Sequence, residues 1–273
     1  MLSLFRHPLR GLRRKTAPIA GPGAVPMTSF RCNLCGADCR VPATAIARET
    51  PSCDRCGSTV RCRAMAHLLT LELFGRSTAL PDLPVRRDVV GIGLSDAKCY
   101  ARPLAHKLGY TNTHFHTQPR LDIANVSGDR AALYDFITAS DVFEHVAPPV
   151  TRAFCNARRL LKPEGVFIFT VPFTLEPDTV EHFPSLHDYR VVETEHGWQL
   201  KNRTADGLVE VHGNLVFHGG PGTTLEMRQF SLAALEREFT AAGFSRLRVA
   251  AEAFPAFGIA WPEPWSVPMV ARA

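Results

Sequence analysis

The sequence has no apolar run approaching the roughly 18 residues that a bilayer-spanning helix needs, so membrane insertion is not expected. No Asp or Glu precedes Asp38, and the same leader lacks the apolar core of a secretory signal. A charge excess is also missing from most of the chain. The formal charge of +5 traces to Arg6, Arg10, Arg13, Arg14 and Lys15, and without them 26 basic residues stand against 26 acidic ones. A neutral body does not carry the electrostatic footprint of a dedicated nucleic-acid binder, so nucleic acid is an alternative partner rather than the favoured one. Residues 1–28 are broken by Pro8, Gly11, Pro18, Gly21, Pro22, Gly23 and Pro26, which forbid a continuous helix. They are expected to form a disordered basic arm, or to precede a true start at Met27. Nothing in the sequence sets the oligomeric state.

Cysteine is plentiful, with eight in the chain, and four of them stand as Cys32, Cys35, Cys53 and Cys56 in RCNLCG and SCDRCG. Each pair is C-x2-C followed by glycine. This spacing turns two sulfurs toward one ion, and Gly36 and Gly57 let backbone amides face the thiolates. Two such knuckles, 17 residues apart, predict a four-cysteine zinc ribbon whose closed shell is structural and leaves no position for a substrate. Disulfides would need an oxidising compartment, and a redox C-x-x-C would need only one pair. A reducing, cytoplasmic setting is therefore expected. Cys39 and Cys62 are read as bystanders, and Cys99 and Cys155 as ordinary thiols on predicted helices. Ser58 or Thr59 caps a predicted helix running to Phe74, with Ala64, Leu68 and Leu71 on one face and Gly75 as its stop. A ribbon of about 35 residues cannot bury that face alone, so the helix is expected to weld the ribbon (29–64) to a larger domain (65–273).

The richest stretch is 134–173, YDFITASDVFEHVAPPVTRAFCNARRLLKPEGVFIFTVPF. Phe136 to Ala139 reads as a buried parallel strand, followed by the polar cluster Ser140, Asp141, Glu144 and His145. Val150, Phe154, Ala157 and Leu161 recur at helical spacing, and Pro163 with Gly165 stops the helix before the apolar run Val166 to Val171. This is a right-handed βαβ unit with polar groups at its carboxyl edge, where open α/β sheets bind ligands. The stretch resembles the fourth and fifth strand region of class I S-adenosylmethionine-dependent methyltransferases, written there much like "FDLVICSDVLEHV", "LKPGG" and "VP", with Glu164 in place of the first glycine. Spanning roughly 85–250, the resemblance implies a Rossmann-like α/β sheet, S-adenosylmethionine as cofactor and methyl transfer as the reaction.

On that resemblance DVVGIGLSD (88–96) is a first strand entering a glycine turn. Gly91 and Gly93 would admit the cofactor close to the backbone, Ser95 stands where a third glycine is usual, and Asp96 opens the next helix. Pro103 is expected to delay that helix to near Arg102. A second strand is predicted over 110–116, and Asp122 in the loop after it is the candidate for the ribose hydroxyls. The interval from His116 to Tyr134 is too short for a helix and a third strand. Asp141 completes the candidate cofactor set.

Methyl transfer from a sulfonium is an in-line displacement, so the protein must align the acceptor and, for a hydroxyl, help remove its proton. Histidine suits that task near neutral pH. His145 at the strand end and His218 in NLVFHGG are the two candidates. His218 belongs to an insertion over 173–228, which reads as an antiparallel lid with turns at Asp206, Gly207 and 219–222. The D-x-x-E-H spacing also resembles the acidic metal site of ubiquinone O-methyltransferases and small-RNA 2'-O-methyltransferases. That implies an ion at Asp141, Glu144 and His145, whereas "EHV" is equally written in metal-independent members. Ser231 caps a last helix ending at Gly243, the strand from Arg246 to Ala250 is expected to complete the sheet, and the tail 254–265 to lie on the lid or cleft. The expected function is methyl transfer to an oxygen, or a nitrogen, of a small-molecule or saccharide acceptor. The alternatives are an RNA or protein methyltransferase docking through ribbon and arm, and a non-catalytic interaction protein.

Overall fold

Residues 25–262, 265 and 267–273 are described by a computed structural model, so the expectation for the basic arm falls mostly outside the described residues. Strands β1 (Met27–Arg31) and β2 (Asp38–Pro42) pair antiparallel around the first knuckle. Pairing begins at Met27 opposite Pro42, so the last residues of the expected arm belong to the ribbon. Helix α1 (Val60–Phe74) starts where Thr59 Oγ1 accepts from the Cys62 amide, and stops at Gly75, whose φ of 70° is the left-handed cap only glycine takes cheaply. It runs through the expected 64/65 boundary. Nearly every position from Val60 to Thr70 is buried, because the sheet covers one side of α1 and the chain's tail the other.

The sheet then unfolds in order: β3 (Arg86–Leu94), α2 (Lys98–Lys107), β4 (Leu108–Thr113), β5 (Tyr134–Ser140), a 3-10 turn (Phe143–His145), α3 (Thr151–Leu160) and β6 (Leu161–Thr170). The segment expected to be a lid follows as β7 (Phe173–Thr174), β8 (Val180–Glu181), β9 (Asp188–Thr194), β10 (Gly197–Arg203), β11 (Val209–His212), β12 (Phe217–His218), β13 (Thr224–Leu225) and β14 (Arg228–Ser231). After it come α4 (Leu232–Ala241), capped by Ser231, then β15 (Arg246–Val249) and β16 (Met269–Arg272). The six-stranded order is β15-β16-β6-β5-β3-β4. Strands β3 to β6 are parallel, and β16 is inserted antiparallel between β6 and β15. No helix among the described residues is long and apolar enough to cross a membrane.

Three expectations are corrected here. β15 does not complete the sheet; β16 does, by bringing Val270 and Ala271 into ladder positions beside Ile168 and Phe167. Helix α2 starts at Lys98 with Pro103 inside it rather than at Arg102. The start of the tail lies on α1 and the ribbon rather than on the lid, since Phe254 stacks on His67 at 4.4 Å and Arg63 donates to the Phe257 and Gly258 carbonyls, while Trp265 lies against Arg48. The missing third strand is as the short interval predicts, since β5 follows β4 directly.

Both departures from the family glycines sit at positive φ, Ser95 at 56° and Glu164 at 63°. The backbone of each turn is kept although the glycine is not, at a cost of about 1 kcal/mol per site.

Candidate active site

Four thiols meet between the knuckles. Cys32 Sγ lies 3.6 Å from Cys56 Sγ and Cys35 Sγ 3.6 Å from Cys53 Sγ, with all four atoms within 4.8 Å of one another. Sulfurs around a tetrahedral zinc, each at about 2.3 Å from it, stand about 3.8 Å apart, so the set fits such an ion. The Gly36 and Gly57 amides donate to the Cys32 and Cys53 carbonyls, closing each knuckle in the positive-φ turn that its glycine permits.

At the carboxyl edge, Gly91 and Gly93 end β3 beside β5. Their absent side chains face the core. A Cβ at Gly91 would stand 2.3 Å from the Phe136 ring, and one at Gly93 would stand 2.0 Å from Tyr110 Oη and 2.3 Å from Asp96 Oδ2. Asp96 therefore serves the protein rather than facing a cofactor. Its carboxyl, 4 % exposed, accepts from Tyr100 Oη at 2.7 Å, from Tyr110 Oη at 2.6 Å and from Thr138 Oγ1. Burial pushes it up to about 7 despite the three donors. Asn112 clasps the Asp96 backbone on both sides, and Ser95 is left exposed at the edge. Asp122 is half-buried in the loop after β4, with Oδ1 accepting from the Ala124 amide at 3.0 Å.

Asp141, at φ 54° directly after β5, is held by groups that sequence reasoning did not find. Arg48 Nη2 reaches Oδ1 at 2.7 Å and Oδ2 at 2.9 Å, Thr170 Oγ1 donates to Oδ1, and Arg61 Nε lies 3.4 Å from Oδ2. Burial opposes its charge, but the two guanidiniums outweigh that and hold the carboxyl below its usual range. Glu49 bridges both arginines, and Arg48 also lies over the Trp265 ring. The ribbon's second loop and the start of α1 thus lock onto the sheet's functional edge. A separation of 93 residues between Arg48 and Asp141 hides this from any local pattern.

The two candidate histidines are brought together from 73 residues apart: His218 Nδ1 lies 3.1 Å from His145 Nε2. His145 Nδ1 faces the Leu225 carbonyl at 2.9 Å, and His218 Nε2 faces Glu226 Oε2 at 3.0 Å. Glu226 also meets His182 Nε2 at 2.9 Å. Glu144 is 1 % exposed and neither carboxyl oxygen has a hydrogen-bond partner among the described residues. Burial, reinforced by the charge of Asp141, raises its carboxyl well above the usual range, and burial lowers His145. Arg228, fully buried, fixes the turn beneath by donating to the Phe143 and Val146 carbonyls and to Glu181. Glu226 and Arg228 share TLEMR, a short run in which two charges are the sequence signal for these contacts.

A family model described as a methyltransferase domain matches residues 27–248, from β1 through most of β15. No curated protein matches in sequence. Solved structures similar to this chain include a 1,6-didemethyltoxoflavin-N1-methyltransferase from Burkholderia thailandensis, at 16 % identity and TM-score 0.43, covering 77 % of each chain. An amino pentose methyltransferase from Micromonospora echinaspora is 12 % identical, with TM-score 0.42, over 79 % of this chain and 92 % of that one. A sugar N-methyltransferase from Streptoalloteichus is 11 % identical, with TM-score 0.43, over 78 % and 86 %. Likeness at this level says nothing of this chain's acceptor.

Proposed function

The chain belongs to the methyltransferase domain family and is a class I S-adenosylmethionine-dependent methyltransferase, and from that premise we propose that it methylates an oxygen of a small-molecule or saccharide acceptor. The observation that carries this reading is the meeting of His145 and His218 under the lid, at the end of the strand that borders the cofactor edge. In this reading the methyl carbon passes from the sulfonium to the acceptor oxygen, the sulfur keeps the broken bond's electron pair and leaves as S-adenosylhomocysteine, and the hydroxyl proton passes to the imidazole pair. An oxygen acceptor needs such a proton sink more than an amine that enters neutral. Ser95 at the turn, Asp122 on the ribose side and Asp141 at the edge are the proposed cofactor neighbours. For Gly91 and Gly93 the proposed contribution is the path of the backbone, and for Asp96 the support of that path from below. The four cysteines are proposed to hold one structural zinc ion, which their mutual distances suit.

S-adenosylmethionine carrying a labelled methyl group, incubated with the protein and a cell extract then split into small-molecule, RNA and protein fractions, tests the acceptor class. Label is expected in the small-molecule fraction, and about 100-fold less of it with His218→Ala at unchanged cofactor binding. Label confined to RNA or protein overturns the small-molecule reading and favours docking through the ribbon.

A further inference from the structure

We infer that Glu144, His145 and His218 form a second metal site, open to an acceptor oxygen and suited to a divalent first-row transition ion. The argument begins with the two imidazoles. His145 Nδ1 is opposite a carbonyl oxygen, which can only accept, so that nitrogen carries the hydrogen and Nε2 is a bare lone pair. His218 Nε2 is opposite a carboxylate oxygen of Glu226, so it too carries the hydrogen and Nδ1 is bare. Two lone pairs then point at each other across 3.1 Å. Between two neutral rings that contact is repulsive, and either a second proton on His218 or a metal ion held by both nitrogens relieves it. The third member is Glu144, with Oε1 3.8 Å from His145 Nε2 and, among the described residues, no hydrogen-bond partner for either oxygen at 1 % exposure. A buried carboxyl with nothing to bind is costly, and an ion is a partner that removes the cost.

The distances suit one ion. Ligand atoms at about 2.1 Å from a common metal lie about 3–4 Å from one another; the two histidine nitrogens at 3.1 Å and the His145–Glu144 pair at 3.8 Å fall in that range, and all three groups lie within 4.8 Å. The outer contacts are those of a built site, since each imidazole donates its other N–H to a carbonyl or carboxylate, which fixes the tautomer and the ring. Glu226 is itself anchored by His182. Two nitrogens and one oxygen favour a zinc-like, manganese-like or iron-like ion over magnesium, which prefers oxygen alone. Three protein ligands leave a position free, as in catalytic rather than structural sites. Asp141 is not a member: Arg48 and Thr170 already occupy its oxygens, which corrects the set implied by the D-x-x-E-H spacing. The proposal rests on the methyl-transfer reading only for its use. An acceptor hydroxyl bound to the ion would lose its proton to solvent before the methyl arrives, relieving the histidines of that task.

Cobalt(II) is the probe, added to the zinc-loaded full chain so that the ribbon is already filled. One equivalent is expected to bind with the weak visible absorption of a nitrogen and oxygen site. His218→Ala, in a half-exposed hairpin, and the isosteric Glu144→Gln should each weaken it by about 100-fold or more. The exposed His196→Ala should leave it unchanged. No cobalt bound by the zinc-loaded wild type, or cobalt binding that survives both substitutions, overturns the site. S-adenosylmethionine binding is measured on the same samples. Its loss with cobalt binding retained contradicts the methyl-transfer reading alone, and the reverse contradicts the ion alone.

Discussion

Cys53→Ser is expected to leave little soluble protein, because the four-cysteine ribbon is part of the core of the larger fold. Cys32, Leu34, Phe30 and Cys53 belong to one apolar cluster with Tyr100, Leu104, Phe136, Ile168 and Val270, which line the sheet and α2. A structural zinc contributes about 10–16 kcal/mol to a small module, as much as the whole stability of a typical domain. Removing one thiolate would open the proposed coordination shell. The unmade ribbon then exposes α1, most of whose residues are buried on both sides, and frees Arg48 and Arg61 from Asp141. The yield of soluble protein and the zinc content per chain measure this, with the exposed Cys155→Ser as the control that should change neither. A Cys53→Ser protein that is soluble and unfolds at the wild-type temperature would remove the ribbon from the account.

Gly93→Ala is expected to lower the unfolding temperature by roughly 6–12 °C, corresponding to about 3 kcal/mol. The new methyl would stand 2.0 Å from Tyr110 Oη and 2.3 Å from Asp96 Oδ2, so the hydroxyl cage around a buried carboxyl has to open. Overpacking and a broken hydrogen bond to a buried acid act together there. Tyr110→Phe removes the nearest clashing atom, and the double variant should therefore be less destabilised than the sum of the single ones. If the glycine served only to admit the cofactor, Gly93→Ala would leave stability unchanged. Additive single effects would equally contradict the cage.

Much of this was legible in the chain. The knuckle spacing brings all four sulfurs within 4.8 Å of one another because such turns are local, and the α1 caps follow from Thr59 and Gly75 for the same reason. The β5 to β6 unit is written as buried runs with a polar edge between them, and the short interval before Tyr134 correctly excludes a third strand. What stayed hidden is non-local. Strand β16 is four residues long and follows a Pro-rich tail, so its pairing with β6 comes from tertiary packing rather than pattern. Arg48, Arg61 and Glu226 acquire meaning only when distant loops meet at one edge. Ser95 and Glu164 show the opposite case, in which the fold persists after the glycines that usually announce it are gone.

Calorimetric titration of the folded, zinc-loaded full chain with S-adenosylmethionine tests the central claim most directly. One site per chain is expected, weakened about 10- to 100-fold by Asp122→Ala as ribose hydrogen bonds to a charged group are lost, and unchanged by His218→Ala. No binding by the folded wild type would contradict the account.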